Sequence, residues 1–158
     1  MDRKRVAVRR AALRDLEKIY ACEAASFAEP WTYAMLYDDI FENANTVYLV
    51  VELSGEIIGY GGMWVVMDEA HITNVCILPE YRKKGYARVL MKELIRMGKE
   101  RGAQSMTLEV RVSNKPALRL YKQCGHGYQL HNYAGYEPRH AAQLSNSVNS
   151  FVIVLLSS

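Results

Sequence analysis

Asn74-Val75-Cys76-Ile77-Leu78-Pro79-Glu80-Tyr81-Arg82-Lys83-Lys84-Gly85-Tyr86-Ala87 is an apolar strand-like run stopped by a proline, then a basic loop, then the opening of a helix. A helix N-terminus presents unpaired backbone N–H groups and a partial positive charge. Gly85 lets the backbone approach a ligand closely, and Arg82, Lys83 and Lys84 add cationic side chains. On physical grounds this is a pyrophosphate cradle. The same short pattern is also compatible with a plain basic first turn of a helix.

Downstream, the spacing predicts a helix from Gly85 to Arg101, with Ala87, Leu90, Met91, Leu94, Ile95 and Gly98 on one buried stripe. Gly102 is placed to end it. Ser105 to Val110 reads as a strand with Met106, Leu108 and Val110 on one face and Thr107 and Glu109 on the other. A further helix runs to about Gln123 from a cap at Ser113 or Asn114. Upstream, Val6 to Arg9 is a short strand. Leu13 to Ala24 is a helix whose Leu13, Leu16, Ile19, Tyr20 and Ala24 share a face, and Thr32 caps a helix to about Glu42. Thr46 to Leu53 and Glu56 to Val66 form a hairpin around Ser54-Gly55, and His71 to Leu78 is the fourth strand. Tyr128 to Tyr136 and Arg139 to Asn149 carry no clear period, whereas Ser150 to Leu156 looks like a terminal buried strand. This alternation argues for an α/β or α+β fold, and the length of 158 residues suits one domain spanning 1–158.

Half of the residues are apolar and 23% are charged, which excludes collagen-like and disordered chains. The longest apolar run, Phe151 to Leu156, is far short of the ~20 residues of a spanning helix, so no membrane association is expected. Cys22, Cys76 and Cys124 form no CxxC pair, so no metal site is expected and a reducing, cytoplasmic setting fits. The N-terminus is basic without an apolar stretch, unlike a secretory signal. A net charge of +3 is no nucleic-acid footprint.

Arg82-Lys83-Lys84-Gly85-Tyr86-Ala87 resembles the acetyl-CoA-binding signature of the GCN5-related N-acetyltransferase (GNAT) family. Phe27-Ala28-Glu29-Pro30-Trp31, His71-Ile72-Thr73-Asn74, Leu108-Glu109-Val110-Arg111-Val112-Ser113-Asn114 and Ala117-Leu118-Arg119-Leu120-Tyr121 resemble its ribosomal-protein-alanine N-acetyltransferase branch. The match runs from about Val6 to Gly125. The resemblance implies a mixed, mostly antiparallel sheet splayed between its fourth and fifth strands, with flanking helices and acetyl-CoA in the gap. It also implies transfer of acetyl to a protein N-terminal amine, the acceptor being the N-terminal alanine of a ribosomal protein.

By resemblance, Glu109 is the base that takes the amine proton and Tyr121 the acid that protonates the leaving sulfur. Backbone N–H groups of Val75, Cys76 and Ile77 hold the thioester oxygen, Arg82 to Ala87 hold the pyrophosphate, and Asn114 and Tyr121 contact the cosubstrate. Read from spacing alone, Glu109 is a solvent-facing strand position and Tyr121 a core tyrosine. His71 reads as a structural histidine and Cys76 as a packed side chain. Trp31, Tyr33, Tyr60 and Trp64 either line a peptide groove or pack in the core. Three other readings of the whole remain: an acetyltransferase for a small amine such as a polyamine or aminoglycoside, an inactive acyl-CoA-binding module, and a nucleic-acid-binding role for the basic N-terminus. After Gly125 the resemblance fades, since His126 stands where the family has phenylalanine and Gln143 to Asn149 match nothing in it. An altered C-terminal segment is the expectation there.

Overall fold

A computed structural model describes residues 5–111, 115–124, 128–132 and 150–156. Seven strands form one sheet in the order β1-β2-β3-β4-β5-β7-β6. They are β1 (Val6–Arg10), β2 (Thr46–Leu53), β3 (Glu56–Val66), β4 (Glu69–Ile77), β5 (Ser105–Arg111), β6 (Tyr128–Asn132) and β7 (Ser150–Leu156). All neighbours are antiparallel except β4 and β5. The Ser54-Gly55 hairpin forms as expected, with both residues at positive φ.

The β4–β5 pairing runs only from Glu69 opposite Ser105 to Ile72 opposite Leu108. Beyond it β4 stays paired with β3 and β5 with β7. The two strands therefore part at their C-terminal ends, the expected splay. Thr73 is the extra residue of a bulge, since Gly62 pairs with Asn74 and Met63 with Ile72. A bulge bends a strand and re-aims its side chains. Here it lies where β4 leaves β5.

Successive side chains of a strand point to opposite faces, and β2 is apolar on both. Val47, Leu49 and Val51 join Leu90, Met91 and Leu94 of α3 (Tyr86–Glu100) in one core. Tyr48 and Val50 join Leu16, Ile19 and Cys22 of α1 (Leu16–Ser26) and Leu36 of α2 (Tyr33–Tyr37) in the other. The helix α4 (Lys115–Cys124) adds Tyr121 to the α3 core. The Tyr48 ring lies over its ladder partner Gly62, where a Cβ would come within 2.4 Å of it. Leu94 is fully buried. Leu94→Ala is expected to cost about 2–5 kcal/mol in denaturant unfolding.

Some expectations need correction. The first helix opens with a 3₁₀ turn at Leu13–Asp15, and its buried face is Leu16, Ile19, Cys22 and Glu23. Leu13 and Tyr20 are exposed, because Leu13 precedes the α-helix proper and Tyr20 turns outward to meet the Tyr33 ring edge-on. Thr32 does cap α2, accepting from the Met35 N–H at 3.2 Å, but Asp38–Glu42 continues as a π-type turn. Tyr128–Asn132 is a strand that the pattern did not reveal. The caps expected at Ser113 and Asn114 lie outside the described residues, as does most of the segment after Gly125 for which alteration is the expectation.

Arg9 of β1 anchors α1. Its Nη1 and Nη2 donate to the two oxygens of buried Asp15 at 2.7 and 2.9 Å, and Nη2 also reaches Glu52 at 2.7 Å. Asp15 also accepts from the Ala12 N–H at 2.7 Å. The Arg9 hydrogen bonds hold the Asp15 carboxyl below its usual range, against its burial. Its folded pKa is thus below the unfolded value of about 3.9. The contribution to stability is complete above about pH 4 and is lost as pH falls through the lower folded value. Asp15→Asn is expected to cost about 2 kcal/mol at neutral pH, a difference that shrinks to nothing in acid-titrated unfolding curves.

Candidate active site

The loop after β4 turns twice through the left-handed region, at Lys83 (φ 63°) and Gly85 (φ 89°). Such a turn aims successive N–H groups into one concavity. Gly85 is the N-cap of α3 and no side chain caps that helix end. The N–H groups of its first turn are therefore available to a ligand. A Cβ on Gly85 would meet nothing within 4 Å, so the space in front of it is open. Arg82 fastens the loop to its surroundings: Nε donates to the Ile77 carbonyl at 2.8 Å and Nη2 to Ser26 Oγ at 3.1 Å.

This loop borders a cavity of about 800 Å³ walled by the end of β4 that has left β5, by the end of α1, and by α3 and α4. Eight expected residues line it: Val75, Cys76, Ile77, Arg82, Lys83, Gly85, and Tyr86 and Ala87 of the first helical turn. Lys84 is not in the lining, and its Nζ lies 6.0 Å from the centroid of the ring of Tyr81, which is. The sequence reading missed Ser26, Arg88 and Arg119 in its walls. Arg88 lies three residues after Gly85 on α3, a spacing that could have flagged it. Arg119 comes from α4, and only the fold brings it near. The volume suits a cosubstrate-sized ligand. Four cationic side chains, an uncapped helix end and an open glycine fit the phosphates of an acyl-CoA.

Glu109 is half-buried on β5, opposite Val152 of β7, just past the last β4–β5 pair. Tyr121 is 9% exposed and packs in the α3 core. Neither belongs to the described wall of the cavity. Asn114 lies outside the described residues. His71 is buried, with its Nδ1 2.7 Å from Thr107 Oγ1 and its ring packed on Trp64.

A buried polar network unseen in the sequence ties α1 to β3 and β4. Glu23, 2% exposed, accepts from the Tyr60 hydroxyl and, at 3.1 Å, from the Trp31 backbone N–H. Asn74 Nδ2 donates to the Tyr60 oxygen at 3.2 Å. Burial first, then the Glu23 carboxylate, pushes the Tyr60 hydroxyl well above its usual range. Tyr48 donates to Asp39 and stacks on Tyr60. Of the four candidate groove aromatics, Tyr60 and Trp64 are therefore buried, Tyr33 is exposed and Trp31 lies between.

A sheet parted at β4 and β5 with an uncapped helix N-terminus beside the parting is suited to holding an anionic ligand. Residues 12–126 match the Acetyltransferase (GNAT) family model, and the chain belongs to that family of N-acetyltransferases. A candidate [ribosomal protein bS18]-alanine N-acetyltransferase of Bacillus subtilis (strain 168) is 45% identical over 121 residues, 77% of this chain and 80% of that protein. The [ribosomal protein bS18]-alanine N-acetyltransferase of Haemophilus influenzae is 33% identical over 136 residues, 85% and 89% of the two chains. The fold matches that of the PaiA N-acetyltransferase from Thermoplasma acidophilum in complex with coenzyme A (TM-score 0.79, 16% identity, 97% and 99% coverage). The family match ends at residue 126, where the motif resemblance also fades. Among the described residues no helix is long and apolar enough to cross a membrane, and no cluster of metal ligands occurs.

Proposed function

We propose that the chain is a single N-acetyltransferase domain that transfers acetyl from acetyl-CoA to the N-terminal amine of a protein, the alanine of a ribosomal protein, in the cytoplasm. The observation that carries this reading is the cationic cavity at the uncapped end of α3, opening where β4 and β5 part. Identity to relatives named for that acceptor supports the choice of amine.

Bound acetyl-CoA would supply an activated acetyl group as a thioester. Arg82, Lys83, Arg88 and the N–H groups at Gly85 to Ala87 would hold its phosphates, with Lys84 and Arg119 adding to the field and Asn114 and Tyr121 contacting it. The edge of β4 at Val75, Cys76 and Ile77, unpaired with β5, offers N–H donors for charge that develops on the carbonyl oxygen. An α-amine has a pKa of about 7.7–8.0, so part of it is protonated at neutral pH. Glu109 takes that proton, leaving the nitrogen lone pair free to attack. Tyr121 gives its hydroxyl proton to the sulfur as the C–S bond breaks.

One observation favours a second acceptor class. A shallow cavity of about 640 Å³ beside Trp31 carries Asp38, Asp39 and Glu42, a surface suited to a small polycation. A competition assay separates the two. The protein is given acetyl-CoA with equal amounts of an alanine-initiated peptide, spermidine and an aminoglycoside. Preferential acetylation of the peptide is expected, and preferential acetylation of either small amine would replace this reading.

A further inference from the structure

Helix α1 and strand β4 each bring a thiol to one buried point. Cys22 is 1% exposed and Cys76 3%, and neither is in a disulfide. Their Sγ atoms are 3.0 Å apart. A disulfide bond is about 2.05 Å long, so the sulfurs need to close by only about 1 Å. The pair is asymmetric. Cys76 lines the cavity beside Ser26 and Arg82, and its thiol lies 2.9 Å from Ser26 Oγ. Cys22 stands behind it, against the Cys76 carbonyl at 3.9 Å.

We propose that Cys22 and Cys76 form a peroxide-responsive dithiol, and that its oxidation to a disulfide switches the enzyme off. The cavity gives a small oxidant access to Cys76, and the second thiol is already in contact to resolve the product. Electrostatics run the same way. The Cys22 hydrogen bond first, and Ser26 after it, hold the Cys76 thiol below its usual range despite burial. Hydrogen bonding to Cys76, and then burial, push Cys22 upward. Cys76 is thus the attacking sulfur.

The Cys76 thiolate attacks one oxygen of hydrogen peroxide. The O–O bond breaks, hydroxide leaves and is protonated to water, and Cys76 becomes a sulfenic acid. Cys22 then gives up its proton and attacks that sulfur. The S–S bond forms, the S–O bond breaks, and a second water leaves. Two thiols and one peroxide give one disulfide and two waters, with two electrons passing to the peroxide. The bond draws Cys76 toward α1. It thereby displaces the β4 segment that carries Val75 and Ile77 and breaks the contact with Ser26. A misplacement of about 1 Å in a catalytic site costs on the order of 10²-fold in rate.

The consequence for activity rests on the acetyl-CoA reading of the cavity, so the test keeps the two separable. The full chain is treated with hydrogen peroxide, alkylated, digested without reductant and read by mass spectrometry, with acetyl transfer measured in parallel. A peptide pair joining residues 22 and 76 is expected, lighter by two hydrogens than the separate thiols. Turnover should fall about 10²-fold and return with dithiothreitol, and saturating acetyl-CoA should slow the cross-link. Cys22→Ala should keep its basal turnover, form no cross-link and leave a Cys76 sulfenic acid that dimedone traps. Full alkylation of both thiols after peroxide, a cross-link through Cys124 instead, or a 22–76 cross-link with unchanged turnover would each overturn the proposal. If the untreated protein acetylates none of the acceptors, the mass readout and loss of acetyl-CoA binding by calorimetry judge the switch on their own.

Discussion

Glu109→Gln is expected to lower kcat on an alanine-initiated peptide by about 10²–10⁴-fold, the usual contribution of a positioned general base. The substitution keeps the size and planarity of the side chain and removes its capacity to take a proton. Glu109 is half-buried on β5, one residue past the last β4–β5 pair. The residues of α3 and its loop proposed to hold the phosphates line a cavity whose described wall does not include Glu109. Acetyl-CoA affinity by calorimetry should therefore change little, and most of the loss should fall on kcat rather than on KM for the cosubstrate. The defect should ease as pH rises, because the amine then loses its proton to solvent. A uniform fall across pH, or a collapse of acetyl-CoA binding, would mean that Glu109 shapes the site instead of accepting a proton.

Gly85→Ala is expected to weaken acetyl-CoA binding by about tenfold or more. Gly85 has a φ of 89°, where a side chain costs about 1–2 kcal/mol. It also caps α3 and faces open space, so a new methyl meets no protein atom. Two effects then act together. If the loop holds its shape, the methyl stands where phosphate oxygens must approach the helix N–H groups. If the loop relaxes to remove the strain, those N–H groups lose their common aim. Either way the loss is one of affinity, read by calorimetry. A fall of only a few degrees in the melting temperature would show that the fold survives.

The parts of the molecule most legible in the sequence are those governed by local spacing. The stripe Leu90, Met91, Leu94 and Gly98 is buried as its period requires, and the basic loop leads into an uncapped helix end. Tyr128–Asn132 was illegible because Tyr-Gln-Leu-His-Asn has weak strand character on its own and gains its state by pairing with β7. The buried face of α1 was misjudged for a related reason. Glu23 turns inward because Tyr60 and the Trp31 backbone satisfy its carboxylate, partners that sequence distance hides. Arg119 in the cavity wall and the contact between Cys22 and Cys76 likewise depend on tertiary proximity. The basic loop and the helix after it are thus legible in one contiguous segment, whereas the Glu23–Tyr60–Asn74 network is assembled from α1, β3 and β4.

The most direct test of the central claim is to incubate the purified chain with acetyl-CoA and a peptide beginning with alanine, and to locate any acetyl group by fragmentation mass spectrometry. One acetyl group on the α-amine, with coenzyme A released in equal amount, is the predicted result. An unmodified peptide in a sample that still binds acetyl-CoA by calorimetry would contradict it.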